Sequence, residues 1–106
     1  MHKPIKPAVR LSLGDFASTF VDYSEQVLFG DLWRREELCL RDRSMVTVSA
    51  LVSGGNLDQL KYHLHLAKEN GVTEEELIEV ITHLSFYVGW PKAASALETA
   101  KMIFRD

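Results

Sequence analysis

The segment 40-LRDRSMVTVSALVSGG-55 constrains the fold more than any other, because Met45, Val46, Val48, Ala50, Leu51 and Val52 make it apolar on nearly all sides. Valine and threonine favour sheet, so a buried strand competes with a buried helix here. No second strand-like run exists to pair with it, and an unpaired strand is not stable. The segment therefore predicts a central, buried helix, with Asp42 as its cap and Gly54-Gly55 as its close.

The flanking sequence carries helical periodicity on both sides. Asp15 is placed to cap a first helix whose stripe is Phe16, Phe20, Tyr23 and Val27, ending near Phe29-Gly30 before a loop with Leu32 and Trp33. A third helix has Leu57, Leu60, Leu64 and Ala67 inward and stops at Asn70-Gly71. Thr73 and Glu76 form a T-x-x-E capping box ahead of a fourth helix with the stripe Leu77, Ile81, Leu84 and Val88. Gly89 ends it, and Pro91 opens a fifth with Ala93, Ala94, Ala96, Leu97, Ala100, Ile103 and Phe104 facing in, small enough for close helix approach. The expected fold is all-α, a compact domain of about five to six helices over residues 15–106, preceded by an extended arm over residues 1–14 that Pro4 and Pro7 keep from coiling.

A chain of 106 residues, 46% hydrophobic and 25% charged, has one domain's worth of core. So small a domain buries a modest share of its surface, which favours completion by further copies of the chain. Phe29, Leu32, Trp33, Tyr87 and Trp90 are the aromatic and apolar groups expected at such an interface. The net charge of −3, with basic residues scattered, argues against nucleic acid as a partner. No apolar run reaches membrane-spanning length, and the N-terminal segment has prolines where a signal peptide would be apolar. The lone Cys39 cannot form an intrachain disulfide, which fits a reducing compartment and makes the cytoplasm the expected location; it is expected to pack as a small hydrophobe.

Two histidines two positions apart, His63 and His65, share the third helix. That spacing points them about 200° apart, so they cannot chelate one metal, and no metal is expected. His63 lies with Gln59, Leu60 and Ala67 at the edge of the buried stripe, as either a hydrogen-bonded boundary residue or a functional one. His65 lies with Asp58, Lys61, Lys68 and Glu69 on the solvent side. His83, one turn before Tyr87, is expected to fill the core or an interface.

The runs LFGDLW (28–33), LRDRSMVTVSAL (40–51), H-x-x-x-A-x-x-x-G at His63, Ala67 and Gly71, and THLSFYVGWPKAASAL (82–97) resemble the carboxymuconolactone decarboxylase family, related to the alkylhydroperoxidase D proteins. Its most specific piece is Y-x-G-W-P at Tyr87, Gly89, Trp90 and Pro91, and the likeness runs from about Leu28 to Phe104. The resemblance implies an all-α fold and homo-oligomers, trimers or hexamers. Its hydroperoxidase branch carries C-x-x-C-x-x-x-H, and counting back from His63 puts those cysteines at Asn56 and Gln59. Its decarboxylase branch needs no cofactor. It acts on a small unsaturated lactone with two carboxylates, so the protein must stabilise an enolate-like oxygen, hold the surviving carboxylate and deliver a proton to carbon.

On that resemblance His63 matches the family histidine and suits the proton transfer, with Tyr87 as a hydrogen-bond donor. Arg41 and Arg43, at a helix start whose amide dipoles favour anions, are the candidates for the carboxylate, with Gln59 and Trp90 completing the substrate site. The known decarboxylases resemble E-L-x-x-H at this point, whereas this chain reads Q-L-K-Y-H with Gln59 for the acid. The expected activity is that of a carboxy-lyase working by proton transfer on a small carboxylated lactone or keto acid. Two alternatives stand beside it, a thiol-dependent antioxidant of the hydroperoxidase kind and a non-catalytic subunit that binds a small molecule.

With no cysteine at positions 56 and 59, no catalytic disulfide can cycle within a subunit. Peroxide consumption driven by a dithiol reductant should stay at background in a coupled assay. Robust turnover abolished by Cys39→Ser would refute this.

Overall fold

The computed structural model describes residues 12–105, so the prolines of the expected arm lie outside the described residues. Five α-helices and no strand occur among those described: α1 (Ser18–Tyr23), α2 (Leu40–Gly54), α3 (Leu57–Glu69), α4 (Glu74–Val88) and α5 (Trp90–Arg105). The chain divides into two compact units, Met1–Leu40 and Arg41–Asp106.

In the first unit α1 continues into a wider turn, Ser24–Leu28, where the Phe29 N–H donates to the Ser24 carbonyl five residues back at 2.9 Å. A short 3-10 turn, Leu32–Arg34, follows. Ala17, not Asp15, stands at the N-cap of α1, and no side chain caps it. The expected stripe is the outer one: Phe16 is 90% exposed and Phe20, Tyr23 and Val27 are also exposed, while Val21 and Ser24 are buried. Periodicity shows that four apolar residues share a face, but not which face the chain covers. Phe29 and Trp33 were expected to lack cover, yet both are buried, their ring centroids 5.9 Å apart. The wider turn contributes to this, because it carries Phe29 round to the side of Val21 and Ser24.

The second unit holds the main core. The helix α2 is one-sided rather than apolar all round: Ser44, Val48 and Val52 are buried, whereas Val46 is 61% exposed and Ala50 is also exposed. Asp42 lies inside its first turn rather than capping it. Helix prevails over strand because no strand among the described residues is there to pair with it, and the hydroxyls of Thr47, Ser49 and Ser53 are satisfied within the helix, donating to the carbonyls of Arg43, Met45 and Ser49, four residues back, at 2.8, 2.8 and 2.7 Å. In α3, Leu60, Leu64 and Ala67 are fully buried as the pattern predicts, and Leu66 joins them. The stop at Asn70-Gly71 is real, with Gly71 at φ +97°, a left-handed conformation that suits glycine.

The capping box of α4 is complete. Thr73 Oγ1 accepts from the Glu76 N–H, and the Glu76 carboxylate accepts from the Thr73 N–H, each at 3.0 Å. Those contacts, the Thr73 amide first and the Arg41 guanidinium next, hold the Glu76 carboxyl below its usual range. Leu77 and Ile81 are fully buried, and Leu84 and Val88 pack against the core from its edge. The helix α5 presents Ala93, Ala96 and Ala100 to the interior together with Thr99, and it packs closely on α3 and α4. No described helix is long and apolar enough to cross a membrane.

Thr73→Ala removes one half of the capping box, so it should destabilise the protein by about 1 kcal/mol in urea or guanidinium unfolding. Conversely, Ser18→Ala in α1, where no side-chain cap exists at Ala17, should have an effect within about 0.5 kcal/mol.

Candidate functional site

His63 sits where the core meets the surface. Its neighbours along the inner face of α3, Leu60, Leu64 and Ala67, are fully buried, so the ring is drawn part of the way in and its Nδ1 is shielded from water. The Tyr62 ring meets it edge-on, centroids 5.0 Å apart and planes at 88°. Desolvation disfavours the imidazolium and pushes the His63 pKa down to about 4. The ring is therefore neutral at neutral pH and available to take a proton. Burial, with Glu69 as a lesser cause, raises the pKa of the Tyr62 phenol, which stays protonated beside it. His65 is exposed, as helix geometry requires, and so is Gln59, one turn before His63.

Three polar ties fix how the helices of this unit run past one another. The Asn70 amide donates to Ser44 Oγ at 3.0 Å, so α3 returns antiparallel to α2 from the turn at Gly55, and His63 comes opposite about Leu51. At the start of α2 the Arg41 guanidinium pairs with the Glu76 carboxylate at the start of α4. Where α2 ends, Lys92 Nζ donates to the Ser53 carbonyl at 2.9 Å from the first turn of α5. Thus α2 and α4 run parallel, and Tyr87 falls within about one turn of the height of His63. Arg41 stands ten residues below Leu51, about 15 Å at a rise of ~1.5 Å per residue. Arg43, part-buried, lies about two residues' rise above Arg41.

By height along the helices the candidates fall into two groups. His63, Gln59, Tyr87 and Trp90 belong to the upper part of the unit, and Arg41 and Arg43 to the lower. Tyr87 is 76% exposed and Trp90 is also exposed. The Tyr87 ring stacks on His83, with centroids 4.9 Å apart and planes at 27°. His83 is exposed rather than filling the core, and it lines an open groove of about 320 Å³ with Ser49, Glu79, Val80 and Leu84. None of the six sequence candidates lines that groove. Ser49 and Glu79 escaped notice because they look like ordinary solvent-facing positions; the one available signal was the i, i+4 spacing of Glu79, His83 and Tyr87. Cys39, expected to pack as a small hydrophobe, is exposed. Among the described residues no three His, Cys, Asp or Glu side chains gather as a metal site would require.

Residues 18–102 match the model of the carboxymuconolactone decarboxylase family. Among curated relatives, the chain is 37% identical over 95 residues to a 4-carboxymuconolactone decarboxylase of Acinetobacter baylyi, an alignment covering 90% of this chain and 71% of that protein. It is 30% identical over 78 residues to a nitrosuccinic acid decarboxylase of Metarhizium robertsii, covering 74% of this chain and 54% of that one.

The depressed pKa of His63 has a thermodynamic counterpart. An unfolded histidine takes up its proton near pH 6.5, and the folded one only near 4, so in between the unfolded state binds more protons. The contribution is fully present above pH 6.5, falls as pH drops through that window and is gone below about 4. At ~1.4 kcal/mol per unit, and with the ring only part-buried, the loss should be on the order of 2 kcal/mol. Unfolding curves of wild type and His63→Gln, measured across this window, should differ by that amount; the carboxylates titrate alike in both. Parallel curves would show that His63 is not desolvated.

Proposed function

This chain belongs to the carboxymuconolactone decarboxylase family, and from that premise we propose that it is a cofactor-independent carboxy-lyase acting on a small carboxylated lactone or a related activated acid. The observation that carries the proposal is His63, a desolvated and neutral imidazole at the position of the family histidine. The chemistry of the two named relatives supports it. A carboxymuconolactone and a nitrosuccinic acid each hold a carboxylate that can leave as carbon dioxide while its electron pair passes into a carbonyl or nitro group already in the molecule. Such substrates carry their own electron sink, so the protein has only to bind, orient and handle one proton.

In this scheme the empty site keeps His63 neutral. A substrate bearing carboxylates brings negative charge beside it, which favours the imidazolium and loads a proton as the substrate binds. Cleavage of the carbon–carboxylate bond releases carbon dioxide and leaves the pair as an enolate. The imidazolium N–H then gives its proton to carbon, and the ring returns to neutral in its low-dielectric setting. Each turnover consumes one proton from solvent. Gln59, one turn before His63, can donate a hydrogen bond to a carboxylate but cannot relay a proton. Tyr87 and Trp90, exposed in the upper part of the unit, are suited to donate to the developing oxyanion and to cover the substrate. Arg41 would have to exchange Glu76 for a substrate carboxylate, and both Arg41 and Arg43 stand in the lower part of the unit, apart in height from His63. The exposed side chains Val46, Phe86, Tyr87 and Trp90 are the surface a homo-oligomer would cover.

Carbon dioxide release from 4-carboxymuconolactone and from nitrosuccinate tests the reading. His63→Asn should lower kcat by roughly a hundredfold, the scale of a lost general acid or base, while His65→Ala leaves it unchanged. Circular dichroism must show both variants folded. A folded His63→Asn protein with full activity would make the residue structural, and no release from any unsaturated lactone acid would remove the carboxy-lyase reading.

A further inference from the structure

None of the six candidates lines the groove between α2 and α4, although Tyr87 stacks on its His83, and the lining has a definite chemical preference. Arg41 with Glu76 ties the two helices near their lower ends, Lys92 of α5 holds the top of α2 by the Ser53 carbonyl, and between these points α2 presents the small Ser49. A larger side chain there would fill the space. Its volume of about 320 Å³ is at the small end of the range for ligand sites, ~300–1,000 Å³. Val80 and Leu84 supply apolar wall, and the imidazole of His83, steadied by stacking on Tyr87, supplies a flat aromatic one.

The polar atoms decide what fits. The Ser49 hydroxyl already spends its proton on the Met45 carbonyl at 2.8 Å, so toward the groove it can only accept. Glu79 is a carboxylate and also only accepts. The His83 ring adds at least one N–H donor, but the Glu79 charge beside it makes the groove favour positive charge and disfavour carboxylates. We propose that this groove is a binding site for a small ring bearing a hydrogen-bond donor, an aryl or benzyl ammonium best and a neutral phenol second, and that it is not a second seat for an anionic substrate. The ring lies against His83, Val80 and Leu84, and the donor reaches Glu79 and Ser49. This inference stands independently of the carboxy-lyase reading.

The test uses the full chain, labelled with nitrogen-15 and titrated with benzylamine, phenol and benzoate. Benzylamine should bind with a Kd on the order of a millimolar, as a one-ring ligand with few atoms can. It should shift the amides of Ser49, Val80, His83 and Leu84, with phenol weaker and benzoate silent. Glu79→Gln should weaken benzylamine about fivefold and leave phenol unchanged, the scale of an exposed charge pair. Ser49→Leu should close the groove to both ligands. Since Ser49 is part-buried and that variant can misfold, Glu79→Gln on the exposed helix face is the deciding arm. Benzoate binding as well as benzylamine, benzylamine indifferent to Glu79→Gln, or no shifts at those amides at tens of millimolar would each overturn the proposal.

Discussion

Close approach of α5 to its neighbours is the interaction on which the second unit depends. Ala93, Ala96 and Ala100 carry almost no side chain, so the backbone of α5 can come near both α3 and α4. That closeness is what drives Leu60, Leu64, Leu77 and Ile81 to complete burial. Each such side chain contributes about 2 kcal/mol by leaving water, against the entropy of ordering it. A larger residue at any of the three alanines would push the helices apart and expose several of these groups at once. His63 borders the same core through its neighbours Leu60, Leu64 and Ala67, and desolvation there keeps its imidazole neutral.

The helix α2 is held differently. It contributes Val48 and Val52 to the core, but its position is set by polar ties, Arg41 to Glu76, Asn70 to Ser44 and Lys92 to the Ser53 carbonyl. Directional ties fix height and direction without requiring continuous side-chain packing. The groove beside Ser49 follows from this, since α2 and α4 are aligned but not interdigitated along their whole length. Two chemically opposite places result in one small unit. Around His63 a neutral base waits where negative charge would protonate it, and in the groove fixed acceptors turn negative charge away.

That opposition has a functional meaning under the proposed reaction. A groove that disfavours carboxylates keeps a dianionic acid from seating beside Glu79. The positions of Arg41 and Glu76 sharpen the point, because one of the two guanidinium groups offered by the sequence is already matched to a carboxylate of the chain's own capping box. Local helix capping and anion binding draw on the same group, and capping holds it in the absence of substrate.

The sequence by itself determined the helical class, the last four helices, the capping box at Thr73 and Glu76, the stop at Gly71, and which of His63 and His65 faces inward. These are local properties: hydrophobic period, cap chemistry and the left-handed preference of glycine act within a few residues. Tertiary structure alone decided the rest. The stripe Phe16, Phe20, Tyr23 and Val27 has flawless periodicity and faces outward, because period says nothing about which side a neighbour covers. Val46 and Ala50 lie outside on a helix whose composition suggested full burial, because composition does not say which sides of a helix its neighbours cover. His83 with Ser49 and Glu79, 34 and 30 residues apart along the sequence from Ser49, became neighbours only when Arg41 met Glu76 and fixed α2 alongside α4. A groove between two helices is a property of their relative height and spacing, and no single segment carries that information.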